Sequence, residues 1–581
     1  MEYCIELRHA GYSTFVLSFL IVFGITSIAG EVIYIVPSPN EPCPAQPCIT
    51  ISQLAMNTND YIDINNTLAF LPGNHSLYYE LAVENVSTVR IINSMPTLRT
   101  VVTCINCTGF VFSKIYQVHI SGLEVIGCGG SKFESVDQFM FDNCSYYGQK
   151  NKCGSGLDLV NVNAKLTNTS FISNLYGSEQ TLQNLCREGY FEQNCKWYGG
   201  GAVSLSKSNI IISNSVFEGN SAEVGGAIVG TLHSSITIIS STFIENQALC
   251  KTFNLVCLGG VVYCEAGCTL SVYNSFFFNN SAHSGGVFSL VMSTLFLTND
   301  HFEWNRAENH GGVIFALKTD ISINKNFFSD NQAEFGGVVH VERSTFVDIS
   351  ESNFTQNIAE SMGGVLYVEN VTTVSINKDN FVNNLAPSIG GAMYGDDTGV
   401  YVRNSLFMNN VGIVGGAFAL IDCKISLKQC ALISNVGEYG GAVYASDSTV
   451  FSTDNYLDST SHRGASETTV VAEFMECKFI DNKAHAHGGA LCLEMVNANI
   501  DGSSFNSNTG YHGGAIYLRL YSHVNISYST FTNHEAASGG GIHSENYTTV
   551  MIFGLVAIEN NKGDLGIIYL QDNIANFAGS V

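Results

Sequence analysis

Phe302-Glu303-Trp304-Asn305-Arg306-Ala307-Glu308-Asn309-His310-Gly311-Gly312-Val313 and Phe328-Ser329-Asp330-Asn331-Gln332-Ala333-Glu334-Phe335-Gly336-Gly337-Val338 are one pattern written twice. An aromatic residue is followed three places later by Asn, then by a small residue two beyond it, then by a glycine doublet. Such doublets begin at 200, 225, 259, 285, 311, 336, 363, 390, 415, 440, 488, 513 and 539, most often 25 to 27 residues apart. Between doublet and aromatic the chain alternates, as in Ile321-Ser322-Ile323 and Val374-Ser375-Ile376, a period of two that denotes strand. Helical repeats need a 3.6-residue stripe, and none is present. Three short strands and three bends fit such a repeat at ~3.3 Å per strand residue. Stacked coils would pair strand on strand at ~4.8 Å. The expected fold is therefore all-β, a right-handed parallel β-helix solenoid with coils of about 25–27 residues. Phenylalanines should stack inside, and asparagines should form a ladder from coil to coil.

Composition narrows the function. Of 581 residues 45% are apolar and only 13% charged, about half the usual share of roughly 25%. With 50 acidic against 25 basic residues the net charge is −25, which repels phosphate backbones and anionic lipid. Nucleic acid is thus not an expected partner. Arg8 and His9, the apolar run from Phe15 to Ile25 and the small residues Ser27, Ala29 and Gly30 read as a signal peptide over 1–30. No later segment holds eighteen uninterrupted apolar residues, so no transmembrane helix follows, and a secreted or cell-surface location is expected. Residues 31–100 read as a cysteine-containing N-terminal cap with lead-in strands, Ile51 to Met56 as a short amphipathic helix, and 101–581 as the solenoid, with clear repeats over about 165–560. The last coil, Val550 to Tyr569, has no second cap after it, as expected of a fragment or a truncated product.

Beyond Cys4 the cysteines fall into near neighbours, read as local disulfide candidates: Cys43/Cys48, Cys104/Cys107, Cys144/Cys153, Cys186/Cys195, Cys250/Cys257, Cys264/Cys268, Cys423/Cys430 and Cys477/Cys492, with Cys128 left over. Their scatter lacks a zinc-finger spacing. Eleven Asn-x-Ser/Thr sequons, at Asn65, Asn74, Asn85, Asn106, Asn143, Asn168, Asn279, Asn353, Asn370, Asn525 and Asn546, permit glycosylation. In a chain this rich in Asn, Ser and Thr, that number is near chance.

The Phe-x-x-Asn and Gly-Gly-Ala-Ile/Val repeat resembles that of the chlamydial polymorphic outer-membrane proteins, and looks like secreted pectin-lyase-like β-helix proteins. Gly226-Ala227-Ile228, Gly416-Ala417-Phe418, Gly441-Ala442-Val443, Gly489-Ala490-Leu491 and Gly514-Ala515-Ile516 carry the match. The first resemblance implies surface adhesion; the second admits a polysaccharide lyase or hydrolase.

An enzyme of that kind needs paired carboxylates. The best pair is Asp396–Asp397, but neighbours on a strand face opposite ways unless a bend intervenes. Neither a catalytic residue nor a cofactor site is assigned. Two ladders are metal candidates: Glu308, Glu334 and Glu360, for Ca²⁺ or relief by Arg306, and His487 with His512, for a transition metal. The plainer alternatives are a hydrated acidic stripe and stacked core-edge rings. The expected function is non-enzymatic adhesion or binding of an extracellular glycan or protein ligand, the alternatives being polysaccharide cleavage and a matrix spacer.

Overall fold

A computed structural model describes residues 32–578 except 177–199, 251–256, 448–469 and briefer stretches. The leader 1–30 lies outside it. The chain divides into two compact units, residues 1–282 and 283–581. Each is a parallel β-solenoid.

In the second unit a regular coil runs Val339–Glu342, Phe346–Ser350, Asn353–Thr355 and Ile358–Met362. That is four strands, where three were expected. The first two belong to one sheet and are separated by a kink at Arg343, whose φ is 54°. The third and fourth build the other two faces. Every strand pairs in parallel with its equivalent one coil on: Val339 with Leu366, Val347 with Val374, Phe354 with Phe381 and Ile358 with Leu385.

The first unit shows how the fourth strand arises. There Phe110–Ser121, Ser131–Asp142 and Leu157–Thr167 are single strands of 11 or 12 residues, each with one left-handed residue inside, Lys114, Ser135 and Asn161. Leu157–Thr167 then pairs with two shorter strands at once, Val203–Ser206 and Asn209–Ser213. The kink is therefore a local widening of one long strand.

Stacking in the first unit begins well upstream of residue 100, with Val32–Val36 on Asn65–Phe70, Asn65–Phe70 on Thr88–Asn93 and Gly73–Leu77 on Thr100–Cys104. The helix Ile51–Met56 forms where expected and buries Ile51 and Leu54. Thr50 and Gln53 cap it reciprocally, Thr50 N–H donating to Gln53 Oε1 (2.9 Å) and Gln53 N–H to Thr50 Oγ1 (3.3 Å).

The interior is a set of one-residue columns. Phe171, Phe217, Phe243 and Phe277 stack at 4.8–4.9 Å in the first unit; Phe302, Phe328, Phe354, Phe381 and Phe407 stack at 4.6–4.9 Å in the second. Beside them runs the asparagine ladder. Asn357 Nδ2 donates to Asn384 Oδ1 (3.1 Å) and to Phe328 O (3.1 Å), while its Oδ1 accepts Asn331 N–H (3.1 Å) and Asn331 Nδ2 (3.0 Å). Both donors and the oxygen are used, so a fully buried amide carries no desolvation penalty.

The glycine doublet has two separate causes. Gly336 has φ 66°, and a Cβ there would strike the carbonyl of Val339. Gly337 lacks the left-handed angle, but its Cβ would strike the carbonyl of Gly364 in the next coil. Other left-handed corners, at Lys325, Glu351, Lys378 and Asn404, face open solvent and accept any polar residue.

Candidate binding surface

Alternation on the second strand of each coil sends every other side chain outward. In the second unit the middle outward positions stack in register as one row: Phe296, Ser322, Asp348, Ser375, Tyr401, Ser426, Glu473, Asn499, Asn525 and Met551. Hydroxyl, amide and carboxylate groups fill most of it. Phe296 and Tyr401 stand out of it at 39–40% exposure, and Phe346, the outward residue before Asp348 on the same strand, is 39% exposed. Phe296 and Tyr401 are four coils apart, about 19 Å at the strand spacing.

At the far end of this face Tyr521, Tyr528 and Tyr547 are 62–68% exposed, all at positive φ. Bulky residues seldom occupy that region. Tyr521 and Tyr547 stack at 5.5 Å, and the Tyr528 ring lies over Gly554, where a Cβ would meet it at 2.9 Å. Between these rings Asn525 Nδ2 donates to Asn499 Oδ1 (2.9 Å) and Ser527 Oγ to Asp501 Oδ1 (2.6 Å). The surface is a polar floor with aromatic rims.

Asp396 and Asp397 behave differently from the sequence expectation. Asp396 ends a strand and Asp397 sits in the kink at φ 47°, so the bend does intervene. Asp396 is pushed up to about 6 by burial and then by Asp422, Glu369 and Asp397. Asp447 is also pushed up to about 6, by burial and its hydrogen bond with Asp422. Sequence reasoning missed Asp422 and Asp447, although 397, 422 and 447 are 25 residues apart. The signal was the repeat itself.

The glutamate ladder does not converge. Glu308 meets His283 Nδ1 at 3.2 Å. Glu360 accepts from Gln332 Nε2 at 2.9 Å and pairs with Arg306 at 3.8 Å, so Arg306 does relieve the stripe. His487 and His512 stack at 5.2 Å, within a file of rings outside the doublet corner that includes Tyr439, Tyr517 and His543. Burial and then His512 push His487 down to about 4. Among the described residues no group of three or more His, Cys, Asp or Glu has the arrangement to hold a metal ion.

Four local disulfide readings are corrected, Cys144/Cys153 among them because Cys144 is free. Cys104 bonds Cys128, one coil on, at a Cα–Cα distance of 4.6 Å, and Cys107 is free. Cys423 and Cys430 are free because the five-residue strand Lys424–Lys428 holds them about 17 Å apart, beyond disulfide reach. Cys477 and Cys492 are free because the strands of the second and third faces lie between them. Cys250–Cys257 and Cys264–Cys268 are bonded. Cys48 is disulfide-bonded. Cys144 is a buried free thiol, and Cys43, Cys153, Cys186 and Cys195 lie outside the described residues, as does sequon Asn106.

Asn85, Asn143, Asn168, Asn279, Asn370 and Asn546 all have positive φ. In Asn143, Asn168 and Asn370 the next residue is a buried corner residue and the Ser or Thr lies beyond it. Such sequons are a by-product of the coil pattern, left-handed corners favouring Asn.

No family model matches the chain, and no curated protein matches it. The chlamydial and pectin-lyase-like resemblances thus remain matters of motif pattern. Among solved structures PfbA, a surface adhesin of Streptococcus pneumoniae, superposes with a TM-score of 0.22 at 10% identity, over 83% of this chain and 87% of that one. A likeness that low carries no argument here. Among the described residues no helix is long and apolar enough to cross a membrane.

Proposed function

We propose that this protein is a secreted, non-enzymatic β-solenoid that binds an extended extracellular glycan along the outward row from Phe296 to Met551. The supporting observation is the set of exposed rings among hydroxyl and amide groups on one face. Aromatic faces stack on apolar ligand faces with little entropy loss, and stacked polar rows offer donors and acceptors at a fixed repeat. A net charge of −25 favours neutral over acidic chains.

A second reading, polysaccharide cleavage, is favoured by one observation, the stacking of Asp397, Asp422 and Asp447 on successive coils beside Asp396, with burial raising the Asp396 and Asp447 carboxyls. Acid–base cleavage uses paired carboxyls, one of them held protonated near neutral pH. One experiment separates the two. The secreted chain is incubated with a panel of neutral and acidic polysaccharides, scoring both retention and new reducing ends. Binding predicts retention without cleavage, lost at least tenfold in the Tyr401→Ala/Tyr521→Ala/Tyr547→Ala variant and kept in Asp396→Asn. Cleavage abolished by Asp396→Asn overturns the proposal in favour of the second reading. Neither retention nor cleavage leaves the spacer.

A further inference from the structure

Each coil turns from its second to its third strand through one buried residue, and these residues form a column. Ser352, Asp379, Ser405, Cys430, Cys477 and Ser503 occupy it in order. The usual occupant is serine, whose oxygen accepts the backbone N–H of the preceding coil and whose hydroxyl donates two residues back, as Ser405 does to Arg403 O (2.8 Å). Two successive cysteines therefore depart from the column's own rule. They fall at a step where the chain spends 47 residues on a coil instead of the usual 25 to 27, the other such step being the 46 residues from Thr169 to Ser215.

Their positions are neighbours in the stack. Lys478 N–H donates to Cys430 O at 2.8 Å, and Ala431 is the register partner of Lys478. Both thiols are buried, and they donate to adjacent residues of one strand, Cys430 Sγ to Lys428 O (3.3 Å) and Cys477 Sγ to Leu427 O (3.3 Å). Parallel stacking at ~4.8 Å lies within the Cα–Cα range of disulfides, ~4.4–6.8 Å. The same chain already uses this geometry, since Cys104 and Cys128 stand one coil apart and are bonded. By contrast Cys492, also buried and free, stacks between Tyr444 and Tyr517, and the buried Cys423 thiol donates to Ile421 O (3.0 Å).

We propose that Cys430 and Cys477 form a cross-coil disulfide that closes the longest step in the solenoid. The two thiols lose two protons and two electrons to a small-molecule disulfide such as oxidised glutathione, which leaves as two thiols. A rotation of each side chain brings the sulfurs together, without a change of coil register. The link forms before the column closes, while the sulfurs are still open to solvent. Its benefit is of the loop-closure kind, larger for a long intervening segment than for a short one. In a cell the bond requires the oxidising compartment of the secreted reading, but its chemistry can be tested apart from that reading.

The full chain is refolded in a glutathione redox buffer, alkylated under denaturing non-reducing conditions, digested and mapped by mass spectrometry. The expected result is a linked peptide pair containing Cys430 and Cys477, with Cys423 and Cys492 carrying the alkyl label. The Cys104–Cys128 pair is the internal control for oxidation. Labelled Cys430 and Cys477 in a sample where Cys104–Cys128 is linked overturns the proposal, as does either cysteine linked elsewhere. The Cys430→Ser/Cys477→Ser variant restores the column's usual residue and should fold. The difference in melting temperature between variant and parent should vanish when both are reduced, and with both oxidised the variant should melt several degrees lower. An unchanged melting temperature there would mean the bond does not close the step. Failure to bind any glycan leaves this result untouched.

Discussion

Asp379 is a carboxyl in surroundings that suit a neutral residue. It is fully buried in the serine column, accepting Ser352 N–H at 2.6 Å and Asn377 N–H at 2.9 Å. Burial pushes its carboxyl up to about 7, against those two bonds, with Asp348 and Glu351 adding to the rise. A carboxyl whose folded value exceeds its unfolded value of ~3.9 holds its proton more tightly when folded, so stability falls as pH rises from about 4 through about 7. Serine at this site keeps the acceptor and donates to Asn377 O, as Ser352 does to Ser350 O. Asp379→Ser should therefore raise unfolding free energy by about 1–3 kcal/mol at pH 8, and by much less at pH 4.5. Urea titrations at the two pH values check this; a loss at pH 8 would show that the carboxylate's two backbone bonds outweigh its desolvation. His534 is the counterpart in the asparagine ladder. Its Nδ1 replaces an Asn oxygen for Asn508 N–H (3.0 Å), its Nε2 has no partner, and burial pushes it down to about 4.

At the scale of the coil, the doublet separates backbone conformation from backbone proximity. Gly337→Ala adds a methyl into the carbonyl of Gly364, and only a shift of two stacked coils can make room. A cost of about 3 kcal/mol or more is expected, since overpacking is relieved here by main chain and not by a side-chain rotamer. Asn404→Gly, at an exposed left-handed corner with φ 52°, should change stability by less than about 1 kcal/mol. Thermal melts of the pair check the contrast, and equal losses would mean that the corners, not the close approach, set the glycine requirement. This contrast also explains what could be read beforehand. Glycine, phenylalanine and asparagine columns repeat because each has a single physical solution, so spacing alone gave the coil. The kink was hidden because Arg343, Asn370, Asp397 and Asp422 share an angle and not a residue type. The outward row was hidden for the same reason: hydroxyls, amides and occasional rings all satisfy an exposed strand. The Cys250–Cys257 and Cys264–Cys268 readings hold, whereas Cys104–Cys107 and Cys423–Cys430 fail because stacking brings Cys104 and Cys128, 24 apart, closer than a strand leaves Cys423 and Cys430.

At the scale of the whole chain the dominant quantity is the charge of −25, set by 50 acidic and 25 basic residues. Repulsion of that kind is spread over a surface and weakens once charges are separated by more than a Debye length, about 10 Å at 0.1 M salt. Raising NaCl from about 20 to 300 mM at pH 7.5 should therefore raise the melting temperature by a few degrees. Calcium at equal ionic strength tests something narrower, a site with several carboxylates turned toward one point. Glu308 is turned to His283, and Glu360 to Gln332 and Arg306, so that stripe already carries its own counter-groups. Millimolar CaCl₂ should accordingly raise the melting temperature no further than NaCl of matched ionic strength. A calcium-specific rise of more than about 3 °C, kept in Glu308→Gln/Glu360→Gln but removed by Asp396→Asn/Asp422→Asn, would place cation binding at the kink and strengthen the cleavage reading. A rise removed by the first variant and not the second would restore the glutamate ladder as the site.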